Sequence, residues 1–193
     1  GPLIINNDTQ QIIYGINNKI KWIGVAPFAS FNGKTYPLDL MQQLVAFLQR
    51  DHQVFLFGSG DFEIGKLEIW ANAYQNVFGA YKLGSLYNEL EIISNLDLMI
   101  SMDSANGHLA ANYNVPVITL WGLTHPFGGF APFSSNPDNM FVSDRETFPE
   151  IPTSAYGKKI PKGYEKAMRT INYKNVAERC LKVLETTKRH RNL

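Results

Sequence analysis

The sequence predicts an α/β protein, a Rossmann-like doubly wound parallel sheet. Short apolar runs recur at Ile23-Gly24-Val25, Val54 to Phe57 and Leu98 to Met102, each followed by a polar loop and then by a helical pattern. The runs are unbroken rather than alternating, as expected of strands covered on both faces. The loops that carry glycine and charge all fall at the strands' carboxyl ends, where open α/β sheets bind ligands.

In chain order, residues 1–18 read as an interdomain segment with a short helix marked by Ile12, Ile13 and Ile16. Lys19 to Pro27 forms the first strand and empties into a loop from Phe28 to Tyr36. A helix then runs from Pro37, a residue suited to a first turn, to Arg50, with Leu38, Met41, Leu44, Val45 and Leu48 on one face. Val54 to Phe57, the Gly58-Ser59-Gly60 turn and a helix to about Tyr74 repeat the unit. Val77 to Ala80 is a third strand, and Ser85 to Glu89 has nearly capping-box spacing ahead of a helix ending at Asn95.

Leu98 to Met102 is the fourth strand and Ala105 to Tyr113 the helix after it, with Asp103 or Ser104 as cap. Pro116 to Trp121 is the fifth strand. Residues 124–163 form a long irregular loop, rich in Pro, Gly, Ser and Asn, whose one strand-like stretch is Met140-Phe141-Val142; Lys158, Lys159 and Lys162 make it locally basic. A C-terminal helix occupies 172–188, followed by a basic, solvent-facing end from Lys188 to Arg191. The whole of 1–193 reads as a single domain.

Forty-five per cent apolar residues in 193 support one substantial core, and a net charge of +1 argues against a general nucleic-acid binder. The single cysteine, Cys180, excludes a disulfide framework and fits a reducing compartment. No apolar run approaches the roughly 20 residues that span a bilayer. A cytoplasmic setting is expected.

Several chemistries lack their motif. Gly58-Ser59-Gly60 follows a strand, but Glu63 stands where a dinucleotide fingerprint needs its third glycine. Lys34 has no glycine-rich Walker run before it, Ser104 lacks a nucleophile-elbow context, and His52, His108, His125 and His190 show no metal-ligand spacing. No metal and no cofactor are expected. What remains is the strand-to-helix elbow at Asp103-Ser104-Ala105-Asn106-Gly107-His108, where orphan N–H groups and the helix dipole favour an anion. Gly107 lets a ligand approach the backbone and His108 can donate to it, although an ordinary capped helix with a surface histidine is the simpler reading. With Lys34 from the first loop, the elbow suits a diphosphate, and Asp61 or Glu63 can take ribose hydroxyls or simply be the acids that open a helix.

Ala26-Pro27-Phe28-Ala29-Ser30 with Lys34 and Tyr36-Pro37, the Gly58-Ser59-Gly60 turn, Asp103 to Ala111, Trp121-Gly122-Leu123-Thr124-His125-Pro126 and Ala167 to Val176 together resemble the C-terminal half of glycosyltransferase family 9, the lipopolysaccharide heptosyltransferases. The resemblance implies the donor-binding half of a two-domain GT-B enzyme. It carries an inverting, metal-independent transfer of a sugar, heptose from ADP-heptose, to the lipopolysaccharide core. By the same resemblance, Lys34 and Asp103 face the donor's sugar and phosphates, and Ser104, Gly107 and His108 hold the diphosphate. Asp61 or Glu63 contacts ribose, and Ser30, Gly60 and Asn106 complete the donor set. No catalytic residue is expected in this chain. An N-terminal domain outside it supplies the base and the lipid A–core acceptor site, and the whole enzyme associates peripherally with the cytoplasmic face of the inner membrane. Phe28 and Ala105 stand where the family usually has glycine, Tyr36 where it has tryptophan, and Leu123 and His125 where it has proline and aspartate. A non-catalytic nucleotide-binding regulatory module is the alternative; a flavodoxin-like domain leaves Lys34 and the elbow unexplained.

Overall fold

In a computed structural model, which describes residues 1–129, 131–132, 136–188 and 191, the chain forms one six-stranded sheet with every strand pair parallel. The strands are β1 (Trp22–Ala26), β2 (Gln53–Leu56), β3 (Val77–Gly79), β4 (Leu98–Met102), β5 (Val117–Trp121) and β6 (Met140–Val142). Their order, β3-β2-β1-β4-β5-β6, reverses direction between β1 and β4. That reversal opens a crevice beyond the carboxyl ends of these two strands.

The α-helices among the described residues are α1 (Asn7–Ile12), α2 (Leu38–Leu48), α3 (Gly60–Ala73), α4 (Leu86–Ser94), α5 (Ala105–Asn112) and α6 (Tyr173–Thr186). Successive strand residues point to opposite faces. Ile23 and Val25 join Leu44, Trp70 and Val176 beneath α2, α3 and α6, whereas Trp22 and Ala26 join Ile92 and Ala110 beneath α4 and α5. Both faces are dry, which is why the strands read as continuous apolar runs. Gly24 has no room for a side chain, since a Cβ there meets Leu96 at 2.5 Å. Cys180 is buried in the α6 layer, where desolvation pushes its thiol up and leaves it unreactive.

Pro37 takes the N-cap position of α2 instead of its first turn, with φ −51° and ψ 122°. Residues 1–18 pack onto the domain: Leu3 N–H donates to Ser94 Oγ at 2.9 Å, and Ile5 and Ile13 are buried. Among its described residues, the 124–163 stretch contains β6 and 3₁₀ turns at Pro126–Gly128 and Pro137–Asn139. The C-terminal end corrects the expectation of a solvated basic tail. Arg191 donates to Asp97 Oδ2 at 2.5 Å and stacks over the Trp22 ring at 4.4 Å. Its guanidinium also donates to the carbonyls of Asn18 and Ile20. A nearly inaccessible carboxylate attracts any cation that can reach it, and Asp97, 2% exposed, also accepts from Trp22 N–H. Residues 189–190 of that basic end lie outside the described residues.

Candidate functional site

The crevice at the β1–β4 reversal is a cleft of about 320 Å³. Each wall follows a strand: Phe28 to Ser30 after β1, Phe57 to Ser59 after β2, and Ser104 with the first residues of α5, Ala105 and Asn106, after β4. Glu63 from α3 and Glu89 from α4 supply its carboxylates.

Ser104 holds the N-cap position of α5 with extended backbone, φ −152° and ψ 167°, but makes no capping hydrogen bond. Its hydroxyl bonds instead with Ser101 Oγ at 3.0 Å. Ser104 therefore leaves the first-turn N–H groups of α5 uncapped among the described residues, and they carry the positive end of the helix dipole beside the cleft. The methyl of Ala105 lies in the cleft wall and is exposed. Gly107 is explained by packing: a Cβ there would stand 3.2 Å from Ser101 Oγ, so its absence lets α5 lie close on β4.

Lys34 closes a short 3₁₀ turn, Asn32–Lys34, and its ammonium meets Asp103 Oδ2 at 2.6 Å. Both side chains are largely buried, 10% and 7% exposed. Three loops hold Lys34 in place where their backbones touch. Leu123 N–H donates to Gly33 O at 2.8 Å, a Cβ on Gly33 would stand 2.4 Å from Gly157 O, and one on Gly122 would stand 2.3 Å from Gly33 O. Gly157 has φ +66° and lies against the Lys34 stem.

Of the residues singled out from sequence, Ser30, Glu63, Ser104 and Asn106 line the cleft. Lys34 and Asp103 pair beside it. Gly60, Asp61 and His108 are exposed and lie outside its lining, as does buried Gly107. Between the two acids that follow β2, the geometry favours Glu63 as the one facing the cleft; its Oε2 also accepts from Ser59 N–H at 2.8 Å. Glu89 reads in the sequence only as part of a near capping box, not as a cleft residue. Burial raises its carboxyl pKa, and the available signal was an acid in the first turn of the helix after β3, at the same sheet edge. Among the described residues, no three His, Cys, Asp or Glu side chains gather as a metal site, and no helix is long and apolar enough to cross a membrane.

Comparison with solved structures gives the same architecture. ADP-heptose lipopolysaccharide heptosyltransferase II of E. coli superposes with a TM-score of 0.67 at 19% identity, covering 95% of this chain and 53% of that one. A family 9 glycosyl transferase from Veillonella parvula gives 0.68 at 17% identity, with the same 95% and 53%. The E. coli heptosyltransferase WaaC with ADP-2-deoxy-2-fluoro heptose gives 0.58 at 15%, covering 90% and 47%. The chain thus spans about half the length of these structures. No curated protein matches the sequence. The model of glycosyltransferase family 9 (heptosyltransferase) matches residues 6–160, most of the sequence, and the chain belongs to that family.

Proposed function

We propose that this chain is the donor-binding half of a glycosyltransferase, that its donor is ADP-heptose, and that the acceptor is the lipopolysaccharide core. The observation that carries the reading is the α5 start beside the cleft: Ser104 does not cap its first-turn N–H groups, and the Lys34–Asp103 pair lies at the same edge. Similar structures solved with ADP or an ADP-linked heptose favour adenine as the base.

In this reading the diphosphate sits against the start of α5 and a cleft carboxylate, Glu63, takes the ribose hydroxyls. Transfer is inverting. A base from a further domain removes the acceptor hydroxyl's proton, the oxygen attacks the anomeric carbon, and the bond to the β-phosphate oxygen breaks as ADP leaves with the electron pair. The helix dipole and Lys34 stabilise the charge developing on ADP, a role that needs no metal. These 193 residues alone bind donor and transfer nothing. The whole enzyme works at the cytoplasmic face of the inner membrane.

The test is a calorimetric titration of the chain with ADP, AMP, UDP and GDP, repeated on Lys34→Ala and His108→Ala. ADP binding ahead of AMP, weakened by both substitutions, supports a diphosphate held by these two loops. A preference for another base changes the donor, and no nucleotide binding at all defeats the reading. The second reading, a nucleotide-binding module without turnover, is favoured by the Ala105 methyl in the cleft wall. An Ala105→Gly variant that binds ADP no better than the parent removes that support.

A further inference from the structure

Two carboxylates share the cleft at the β1–β4 reversal. Glu63 reaches it from α3 and Glu89 from the first turn of α4, and both line a space of about 320 Å³. The two acids are not alike. Glu63 Oε2 accepts the Ser59 N–H at 2.8 Å. The Glu89 carboxylate has no hydrogen bond and no ion pair among the described residues, and desolvation alone raises its pKa.

The surrounding elements supply Glu89 with no counter-charge. On α4 itself, Glu91 turns to the Asn6 N–H at the start of α1, with Oε2 at 3.3 Å. The 3₁₀ turn Ala80–Leu83, packed on α4, brings Tyr81 and Lys82; the Tyr81 hydroxyl is buried, and the Lys82 ammonium lies 5.9 Å from the centre of the Phe78 ring. His108 of α5 and Asp8 of α1 are exposed. The nearest cation of the site, Lys34, is engaged by Asp103 at 2.6 Å. A nucleoside diphosphate placed in the cleft brings several negative charges and displaces the water that screens them. Like charges crowded into a desolvated space disfavour ionisation, so the arriving anion favours the neutral form of a neighbouring acid. Glu89 is the acid of the lining with no partner to hold its charge.

We infer that a nucleoside diphosphate enters this cleft together with a proton, which Glu89 takes from solvent onto its carboxylate. No covalent bond of the nucleotide changes. The uptake rests on the donor-binding reading above and adds a pH control to the same site. A neutral carboxyl group also donates a hydrogen bond, so the proton converts Glu89 from a group that repels phosphate into one that can bond it. Affinity is therefore highest where Glu89 is already protonated in the free chain. It falls as pH rises, by up to about 10-fold per unit where a full proton is taken up.

The experiment is a calorimetric titration of the chain with ADP at pH 6 and pH 7, each in two buffers of different ionisation enthalpy, which reads the protons taken up per ADP bound. It is repeated on Glu89→Gln and Glu63→Gln. Any proton exchange of ADP itself is common to all three proteins. The parent takes up more protons than Glu89→Gln, and Glu63→Gln keeps the excess. At pH 7, Glu89→Gln binds ADP about 3- to 10-fold more tightly than the parent, the worth of one like-charge contact of a few ångströms near a protein surface. Equal uptake by the parent and Glu89→Gln overturns the inference and leaves the donor-binding reading standing. So does an excess that vanishes with Glu63→Gln instead, or weaker ADP binding by Glu89→Gln, which makes the carboxylate a nucleotide contact. Binding of ADP by none of the three overturns the donor-binding reading and this inference with it.

Discussion

Glu63 Oε2 accepts the Ser59 backbone N–H at 2.8 Å, so one carboxylate both ties the start of α3 to the turn after β2 and faces the cleft. The bond is charge-assisted and partly exposed. Glu63→Ala is expected to lower stability by about 1 kcal/mol, the usual worth of a helix-start contact. Through loss of a charged hydrogen bond it weakens ADP by about 10-fold. Urea denaturation and calorimetry read the two effects separately. An unchanged ADP affinity with lowered stability assigns Glu63 to α3 alone.

The Lys34–Asp103 pair allows a double-mutant test. Breaking a buried pair from one side leaves a desolvated charge without its counter-charge. Lys34→Met and Asp103→Asn should each therefore cost about 3 kcal/mol, the lower end for buried pairs. Combining them removes both charges, so the double variant should lose less than the sum. Additive losses in urea melts would show that the two charges do not depend on one another.

Glu89 supplies a pH dependence whose sign follows from its burial. Its carboxyl pKa is raised in the folded state, so the native protein holds more protons than the unfolded chain over a window opening near the ordinary Glu value of about 4.3. Stability from this group is therefore lost as pH rises through that window. Glu89→Gln should melt higher than the parent at pH 7 and alike at about pH 4. Equal melting at both pH values would contradict the burial account.

At the opposite sheet end, Arg191→Ala should cost about 2 kcal/mol, less than a fully broken buried pair because Lys21 Nζ stays 3.3 Å from Asp97. Thermal melts check this. A loss that matches Arg191→Lys in full would assign the effect to the planar guanidinium stacked on Trp22 rather than to charge.

Much of this architecture was legible because buried parallel strands leave an unambiguous mark. Leu98 to Met102 and Met140 to Val142 were bounded in the sequence as they are in the structure, and the remaining strand ends moved by a few residues at most. Pro37 moved out of α2 because a fixed φ near −60° serves an N-cap as well as a first turn. Arg191 was misread because a terminal run of basic residues carries no local sign of a distant buried acid. At the site, the elbow was visible as residue types, but nothing local tells that Ser104 turns its hydroxyl to Ser101 and leaves the helix uncapped. Gly107 was read as room for a ligand, whereas the space is taken by the close approach of β4. The place of Glu89 in the cleft depends on contacts between loops far apart in the chain, which periodicity does not report.

The staple at Asp97 gives the two ends of the strands different mechanical characters. Below, Asp97 gathers Lys21, Trp22 N–H and Arg191 at the amino ends of β1 and β4, joining two strands to the chain beyond α6. Above, the functional loops meet largely through glycine backbones. The strands therefore behave as levers clamped at one end: amide exchange should be slow near Trp22 and Leu98 and become faster toward Ala26 and Met102. The upper loops can then yield to a ligand without loosening the sheet that carries them.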